Sequence, residues 1–157
     1  MLSESVQATV SQVLLSKKHL PGALLPVLHG IQDAVGHVPR EAVDEVARAL
    51  NLSRAEVHGV VTYYHHFRSE PAGRHVVQIC RAEACQSMGA QALWDHACLR
   101  LGRNGHGTTQ DGMFTLEPVY CLGLCASSPA MAVDEKVHAR VGPSKFDRVL
   151  AQARAEA

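Results

Sequence analysis

Four cysteines in two closely spaced pairs constrain this chain more than any other feature. Cys80 and Cys85 lie in "CRAEACQSMGA", directly after the apolar run 75–79, and Cys121 and Cys125 lie in "CLGLCASSPA". If the segments that precede the two pairs are neighbouring strands, both cysteine loops leave the same end of a sheet and four thiolates can converge. Four sulfur ligands suit either tetrahedral zinc or an iron–sulfur cluster.

The spacing within each pair separates these possibilities. Structural zinc sites favour pairs with two residues between the ligands, whereas here the spacings are Cys80-x4-Cys85 and Cys121-x3-Cys125. Because the chain has no C-x-x-C run, a four-iron ferredoxin and a thioredoxin-type dithiol are also disfavoured. The wider loops favour a 2Fe–2S cluster with one iron on each loop. A zinc-stabilised interaction module and a thiol–disulfide protein remain as alternatives.

Composition limits the class of protein. The 157 residues suit one domain, or a compact domain with a helical extension. Fifteen acidic and fifteen basic side chains give no net charge, which argues against a nucleic-acid surface. No apolar run reaches the length of a membrane span, and the start lacks the basic and apolar regions of a secretory signal. We therefore expect a cytoplasmic protein whose clustered cysteines serve metal or redox chemistry.

Helical periodicity dominates residues 1–70. A weak leading helix covers 5–15, and a stronger one covers 24–35 and ends at Gly36. Pro39 suits the first turn of a third helix, and Ser53 with Glu56 forms a capping box that starts a fourth. These patterns predict a helical N-terminal domain.

From residue 71 onward the periodicity changes to that of a mixed sheet. The pattern predicts, in order, a strand at 75–79, a helix at 86–101, a strand at 113–120, a hairpin of 130–133 and 137–141 that turns at 134–136, and a closing helix with Pro143 near its first turn. Helices that cover a small sheet predict an α+β or α/β domain of thioredoxin-like type over residues 71–157.

The cysteine pattern resembles that of a known family. It is similar to the 2Fe–2S subunit that accompanies the flavin subunit of NADH-quinone oxidoreductase, with relatives in NAD-reducing hydrogenases and NAD-dependent, molybdenum-containing formate dehydrogenases. The segments "LLPVLHGIQDAVGHVPREAVDEVARALNLSRAEVHGVVTYYHHF" and "VYCLGLCASSPAMAVDEKVHARV" resemble the family's helical N-terminal region and second ligand loop. The resemblance implies a thioredoxin-like domain that binds one 2Fe–2S cluster through Cys80, Cys85, Cys121 and Cys125.

The resemblance also implies a role within a larger complex. The chain would be an electron-transfer subunit without substrate chemistry of its own, exchanging single electrons with FMN in a partner flavoprotein subunit. No nucleotide-binding motif is visible, so FMN, NAD and the molybdenum cofactor are expected on partner subunits only. The loop "RAEA" at 81–84 and the short chain resemble the gamma subunit of soluble formate dehydrogenase most closely. The equivalent subunit of NADH-quinone oxidoreductase or of an NAD-reducing hydrogenase is the alternative.

Several residues near the cysteines carry further expectations. After Cys125 the family's usual small–apolar–proline stretch reads "ASSP" at 126–129 here. The base rate for X–Pro bonds favours a trans Pro129, although thioredoxin-like folds often hold a cis proline at this position. Gly123 permits a positive φ, which would let its amide approach a sulfide closely; an ordinary turn glycine is the alternative. Cys98 shares the apolar helix face of Trp94 and is expected only to pack.

The histidines and the aromatic run give weaker signals. None of the ten histidines forms the i, i+4 pair with an intervening carboxylate that a zinc hydrolase requires, so we expect them to be surface or hydrogen-bonded core side chains. The run "YYHHF" at 63–67 is equally compatible with a partner-contact edge and with an ordinary core segment.

Overall fold

The chain forms two compact units, Met1–Pro71 and Ala72–Ala157. The structure is a computed structural model, and it describes residues 3–156. The first unit consists of helices, and the second contains a five-stranded mixed sheet with helices packed against it. This arrangement confirms the predicted class, an N-terminal helical region followed by an α/β layer.

Four helices build the first unit: α1 Glu4–Lys17, α2 Leu24–Val35, α3 Ala42–Leu50 and α4 Arg54–Tyr63. Their apolar stripes meet in one core, to which Val10, Leu28, Ile31, Val46 and Val57 contribute fully buried side chains. The buried Gln32 amide group donates to the His66 carbonyl and accepts from the Arg68 amide, each at 2.7 Å. These two bonds tie the segment after α4 to α2.

Most helix boundaries of this unit follow the local signals. Gly36 ends α2 with a φ of 87°, which an L-residue with a side chain adopts only with strain. The capping box of α4 is complete, because Ser53 Oγ accepts from the Glu56 amide and the Glu56 carboxylate accepts from the Ser53 amide. The prediction for Pro39 was wrong: α3 begins at Ala42, and Pro39 lies in the preceding turn, where its carbonyl accepts from the Ala42 amide.

The aromatic run after α4 divides between core and surface. Phe67 is buried in the core of the helical unit. Tyr63 and Tyr64 are exposed, and their rings meet edge to face at 5.2 Å. The core interpretation therefore holds for Phe67 and not for the two tyrosines.

The second unit has the element order β1 His75–Cys80, α5 Glu83–Ser87, α6 Ala90–Arg100, β2 Gly107–Thr108, β3 Phe114–Val119, β4 Met131–Val133, β5 Lys136–His138 and α7 Pro143–Ala155. The strands follow one another across the sheet as β2-β3-β1-β4-β5. Strands β1 and β3 are parallel, and the other neighbours are antiparallel.

The core of this unit lies between the sheet and helices α6 and α7. Ile79, Leu116 and Met131 project from the sheet and are completely buried. They pack with Leu93 and Trp94 of α6 and with Phe146 and Leu150 of α7. The predicted apolar face of α6 is therefore confirmed. Pro143 occupies the first turn of α7, also as predicted.

Three predictions for this unit need correction. The single helix expected at 86–101 is two helices, α5 and α6, because Gly89 adopts a φ of 93° between them. Strand β2 was not foreseen, and β5 ends at His138 rather than at 141. The peptide bond between Ser128 and Pro129 is cis, where the base rate had favoured trans.

No helix within residues 3–156 is long and apolar enough to cross a membrane.

Candidate metal centre

The sheet brings the two cysteine-containing segments to the same end of its parallel strands. Cys80 is the last residue of β1 and pairs with Val119, the last residue of the parallel strand β3. The Cys80 amide donates to the Ala130 carbonyl at 3.0 Å, and the Arg81 amide donates to the Val119 carbonyl at 2.8 Å. Cys121 follows β3 by two residues. The two strands that precede the cysteine pairs are therefore neighbours, which is the condition for the four thiols to converge.

The first cysteine pair is buried. Cys80 and Cys85 are each 2% exposed and pack with Ala90 and Ala130. The Cys85 thiol lies close enough to Cys80 to lower the pKa of the Cys80 thiol. Cys85 lies on the short helix α5 and not on the loop that the sequence suggested, so both members of this pair belong to regular secondary structure.

The second cysteine pair is exposed and closely spaced. Cys121 and Cys125 place their Sγ atoms 3.6 Å apart. Two thiolates on one tetrahedral ion with bonds of about 2.3 Å have sulfur atoms roughly 3.8 Å apart. The pair therefore already has the spacing of two ligands of a single tetrahedral ion.

The turn that carries Cys121 has an unusual backbone. Cys121 has a φ of 88° and Gly123 a φ of 76°. Positive φ is uncommon for a residue with a side chain, and such strained residues cluster at functional sites. In this turn the Gly123 amide donates to Cys121 Sγ at 3.4 Å. The expected approach of this amide to a sulfide stays a prediction. The backbone of Cys121 and of Leu122 also lowers the pKa of Cys80.

These contacts set the acidity of two thiols in opposite directions. Burial alone would raise the pKa of Cys80, but the Ala82 amide, the Cys85 thiol and the amides of the Cys121 turn outweigh burial and hold that pKa below its ordinary value. The Cys121 sulfur raises the pKa of Cys125, first through the hydrogen bond between the two thiols and then through its negative charge. The Cys80 thiolate is thus the better stabilised of the two.

Ser128 connects the two cysteine pairs, and sequence reasoning did not assign it a role. Cys85 Sγ donates to Ser128 Oγ at 3.4 Å, and Ser128 Oγ donates to the Cys125 carbonyl at 2.8 Å. The only indication in the sequence was that the stretch at 126–129 reads "ASSP" and so departs from the family's small–apolar–proline pattern.

The remaining candidates lie outside this arrangement. Cys98 is half-buried and packs against the larger core between sheet and helices, as expected. His96 Nε2 pairs with the Asp147 carboxylate at 3.0 Å, which accounts for it as a structural side chain. Across residues 3–156, no three side chains of His, Cys, Asp or Glu are grouped to hold one metal ion. The candidate ligands form two pairs of soft thiols, a donor set suited to iron–sulfur chemistry.

Comparison with known proteins gives a family for this arrangement. Residues 10–154 match the family described as thioredoxin-like [2Fe-2S] ferredoxin. The chain is 37% identical over 133 residues to one of the NADH-quinone oxidoreductase subunits of Rhizobium meliloti, covering 85% of this chain and 79% of the relative. It is 31% identical over 152 residues to the HndA subunit of the NADP-reducing hydrogenase of Solidesulfovibrio fructosivorans, covering 97% and 89%.

A solved structure supports the fold. The chain matches an air-oxidized NAD+-reducing [NiFe]-hydrogenase structure with a TM-score of 0.70 and 23% identity. The match covers 89% of this chain but only 24% of the solved chain. At this identity the match concerns the fold alone, and it agrees with the thioredoxin-like domain that the family match confirms. The family also confirms the expected cofactor, one 2Fe–2S cluster.

Proposed function

We propose, because this chain belongs to the thioredoxin-like 2Fe-2S ferredoxin family, that Cys80, Cys85, Cys121 and Cys125 hold its cluster, with one iron on each pair. The observation that carries the proposal is the 3.6 Å separation of the Cys121 and Cys125 sulfur atoms at the sheet edge where Cys80 ends β1. All four donors are thiols, the ligand set of a four-cysteine 2Fe–2S cluster. When bound, such a cluster accepts and releases one electron at a time.

The backbone around the cysteines is arranged to stabilise negative charge. Four thiolates at one site repel one another, and electron uptake adds further negative charge. The amides of Ala82, Cys121 and Leu122 stabilise the Cys80 thiolate, and the Gly123 amide donates to Cys121. Amide donors at ligand sulfur atoms favour the more negative state. The backbone after Cys80 and the turn that carries Cys121 therefore both position the ligands and favour electron uptake.

The exposed side of the site supports electron exchange with another protein. Cys121 and Cys125 are exposed, and the neighbouring Tyr120 is 65% exposed. Met88, three residues after Cys85, is 62% exposed. Large exposed apolar side chains beside a redox site are typical of a docking surface. The proposed partner is a flavoprotein subunit, with which the chain exchanges single electrons through FMN.

For the parent complex we propose a soluble NAD-dependent formate dehydrogenase with a molybdenum subunit. Its support is the resemblance of the segment "RAEA" at 81–84 to that of the gamma subunit of this enzyme. The names of the relatives favour the alternative, a subunit of an NADH-quinone oxidoreductase or of a hydrogenase that reduces a nicotinamide nucleotide. In either complex FMN and the nicotinamide site belong to partner subunits, as does molybdenum in the formate enzyme.

The cluster is tested on the purified chain. Iron, acid-labile sulfide and zinc are measured, together with the visible spectrum and the electron paramagnetic resonance spectrum after reduction with dithionite. The proposal expects iron and sulfide in equal amounts, two of each per chain, and one unpaired electron per reduced chain. A colourless protein with zinc and no sulfide would support the zinc-stabilised interaction module instead.

The parent complex is tested by recovering the partners. The chain is tagged and purified from its native cells under mild conditions, and the recovered complex is assayed for FMN, molybdenum and NAD reduction. Formate-dependent NAD reduction with bound molybdenum would support the formate dehydrogenase. Hydrogen-dependent reduction, or quinone reduction by NADH without molybdenum, would contradict it in favour of the alternatives.

A further inference from the structure

Ser128 is buried beside the candidate ligands and connects their two loops. It is 8% exposed and is one of four buried polar side chains within residues 3–156. The other three are Gln32, Thr109 and Thr115, and they form hydrogen bonds with groups away from the cysteines. The Ser128 hydroxyl contacts the Cys85 sulfur at 3.4 Å and the Cys125 carbonyl at 2.8 Å. This buried hydroxyl therefore contacts one residue of each candidate ligand pair.

The hydroxyl has one proton and two neighbouring acceptors once Cys85 binds metal. With Cys85 protonated, the thiol donates to Ser128 Oγ and the hydroxyl donates to the Cys125 carbonyl. Metal binding requires a deprotonated thiol, so the Cys85 sulfur then becomes an anionic acceptor. Hydrogen bonds to an ionised acceptor are about twice as strong as those between neutral groups. The hydroxyl then favours the ionised sulfur over the neutral Cys125 carbonyl.

We infer that Ser128 is a positioning residue whose hydroxyl donates to the Cys85 thiolate and thereby raises the reduction potential of the cluster. The inference rests on the proposed ligation by Cys85. Reduction adds one electron and takes up no proton, so the negative charge on the ligand sulfur atoms increases. A hydrogen-bond donor 3.4 Å from one of them stabilises the reduced state more than the oxidised state.

The test is a spectroelectrochemical titration of the wild-type chain and Ser128→Ala, each loaded with its cluster. We expect the alanine variant to retain iron and its visible spectrum and to have a lower midpoint potential. At a fixed potential its ratio of reduced to oxidised cluster should fall several-fold and by up to about tenfold, the latter corresponding to about 59 mV for one electron. An unchanged or higher potential in a fully loaded alanine variant would overturn the inference.

Matched variants separate the hydroxyl from the shape of the side chain. Ser128→Thr keeps the hydroxyl, and Ser128→Val has nearly the same shape as threonine without it, so only the valine variant should follow alanine. Ser127→Ala is the neighbouring control, because the hydrogen bonds of Ser127 to Leu124 and Arg140 use its backbone and survive the substitution. Equal potentials in the threonine and valine variants would overturn the inference.

A second readout detects the hydrogen bond itself. After exchange into D₂O, pulsed electron paramagnetic resonance of the reduced chain should show an exchangeable deuteron that is present in wild type and Ser128→Thr and missing in Ser128→Ala. Iron loss from both variants without a hydroxyl would overturn the inference, because Ser128 would then serve assembly rather than potential. A wild-type chain without a 2Fe–2S spectrum would instead contradict the proposed function.

Discussion

The two cysteine pairs are held by different physical means. Cys80 and Cys85 are buried and lie on a strand end and a helix, whose hydrogen bonds fix their positions. Cys121 and Cys125 are exposed and lie on a turn with positive φ and on the 3₁₀ helix Cys125–Ser127. The first pair is positioned by regular secondary structure within a packed interior, and the second by the backbone conformation of a turn and a few local hydrogen bonds. One site thus combines a rigid, dry half with a half that is open to solvent and to a partner.

The largest effect should follow from removing any ligand. Each of the four single Cys→Ser variants is expected to lose the visible absorption and most of its iron, because in the proposed ligation each pair supplies two thiolates to one iron. The variants should differ once metal is removed. At buried positions 80 and 85, serine replaces a packed sulfur with a smaller and more polar oxygen that fits the existing contacts of the thiol poorly, at a cost of about 1–3 kcal/mol. At exposed positions 121 and 125 the free energy of unfolding should hardly change.

Iron analysis and urea unfolding of the metal-free chains measure the two effects, with Cys98→Ser as the control that keeps iron. Two irons retained in Cys121→Ser would contradict the ligand assignment. Equal losses of stability in all four variants would contradict the difference between the pairs.

The rates of cysteine alkylation should also distinguish the buried pair from the exposed pair. In the metal-free chain, iodoacetamide is expected to modify Cys121 and Cys125 at least tenfold faster than Cys80 and Cys85, because a fully buried sulfur reacts only after local opening. The lowered pKa of Cys80 favours its thiolate but does not give the reagent access. Peptide mass spectrometry over time measures each site. In concentrated urea the four rates should converge; fast modification of Cys80 in the folded chain would show that its burial is not maintained.

Local signals were sufficient to predict much of the fold. Gly36, the Ser53–Glu56 capping box and Pro143 mark helix ends through their own backbone or side-chain chemistry, and the structure confirms all three. Cys80 was placed at the end of a buried strand because an apolar run leads directly to it. These features depend on residues that are close together in sequence.

The errors involve contacts that are distant in sequence or conformations that a pattern does not show. Strand β2 has two residues and exists because Gly107 and Thr108 pair with β3. The predicted helix ran from 86 to 101 across Gly89, so the break between α5 and α6 was missed and Cys85 was placed on a loop. The link through Ser128 joins residues 43 positions apart and could not be read from spacing.

Glycines with positive φ offer a smaller test of how the exposed pair is positioned. Gly123→Ala has open space for the new methyl group, so its cost is backbone strain, about 1 kcal/mol after allowance for the stiffer unfolded chain. Gly36→Ala is the matched control, with a φ of 87° and equally open space in the helical unit. Both variants should lose similar stability in urea, but only Gly123→Ala should also weaken iron retention against a chelator. Equal iron retention would show that the turn does not position Cys121.

The smallest effect is expected at Cys98, the cysteine that belongs to neither pair. Its half-buried side chain packs against the core between sheet and helices, so Cys98→Ala removes one sulfur atom from apolar contacts. By comparison with other small truncations in cores, the free energy of unfolding should fall by about 1 kcal/mol or less. The visible spectrum, the iron content and the midpoint potential should be unchanged, because the residue packs apart from the cysteine cluster formed by Cys80, Cys85, Ala90 and Ala130. Thermal or urea unfolding gives the first quantity, and the titration used for Ser128 gives the last. A bleached or shifted spectrum in Cys98→Ala would mean that a ligand has been assigned to the wrong cysteine. The four ligands would then not divide into one buried and one exposed pair as described above.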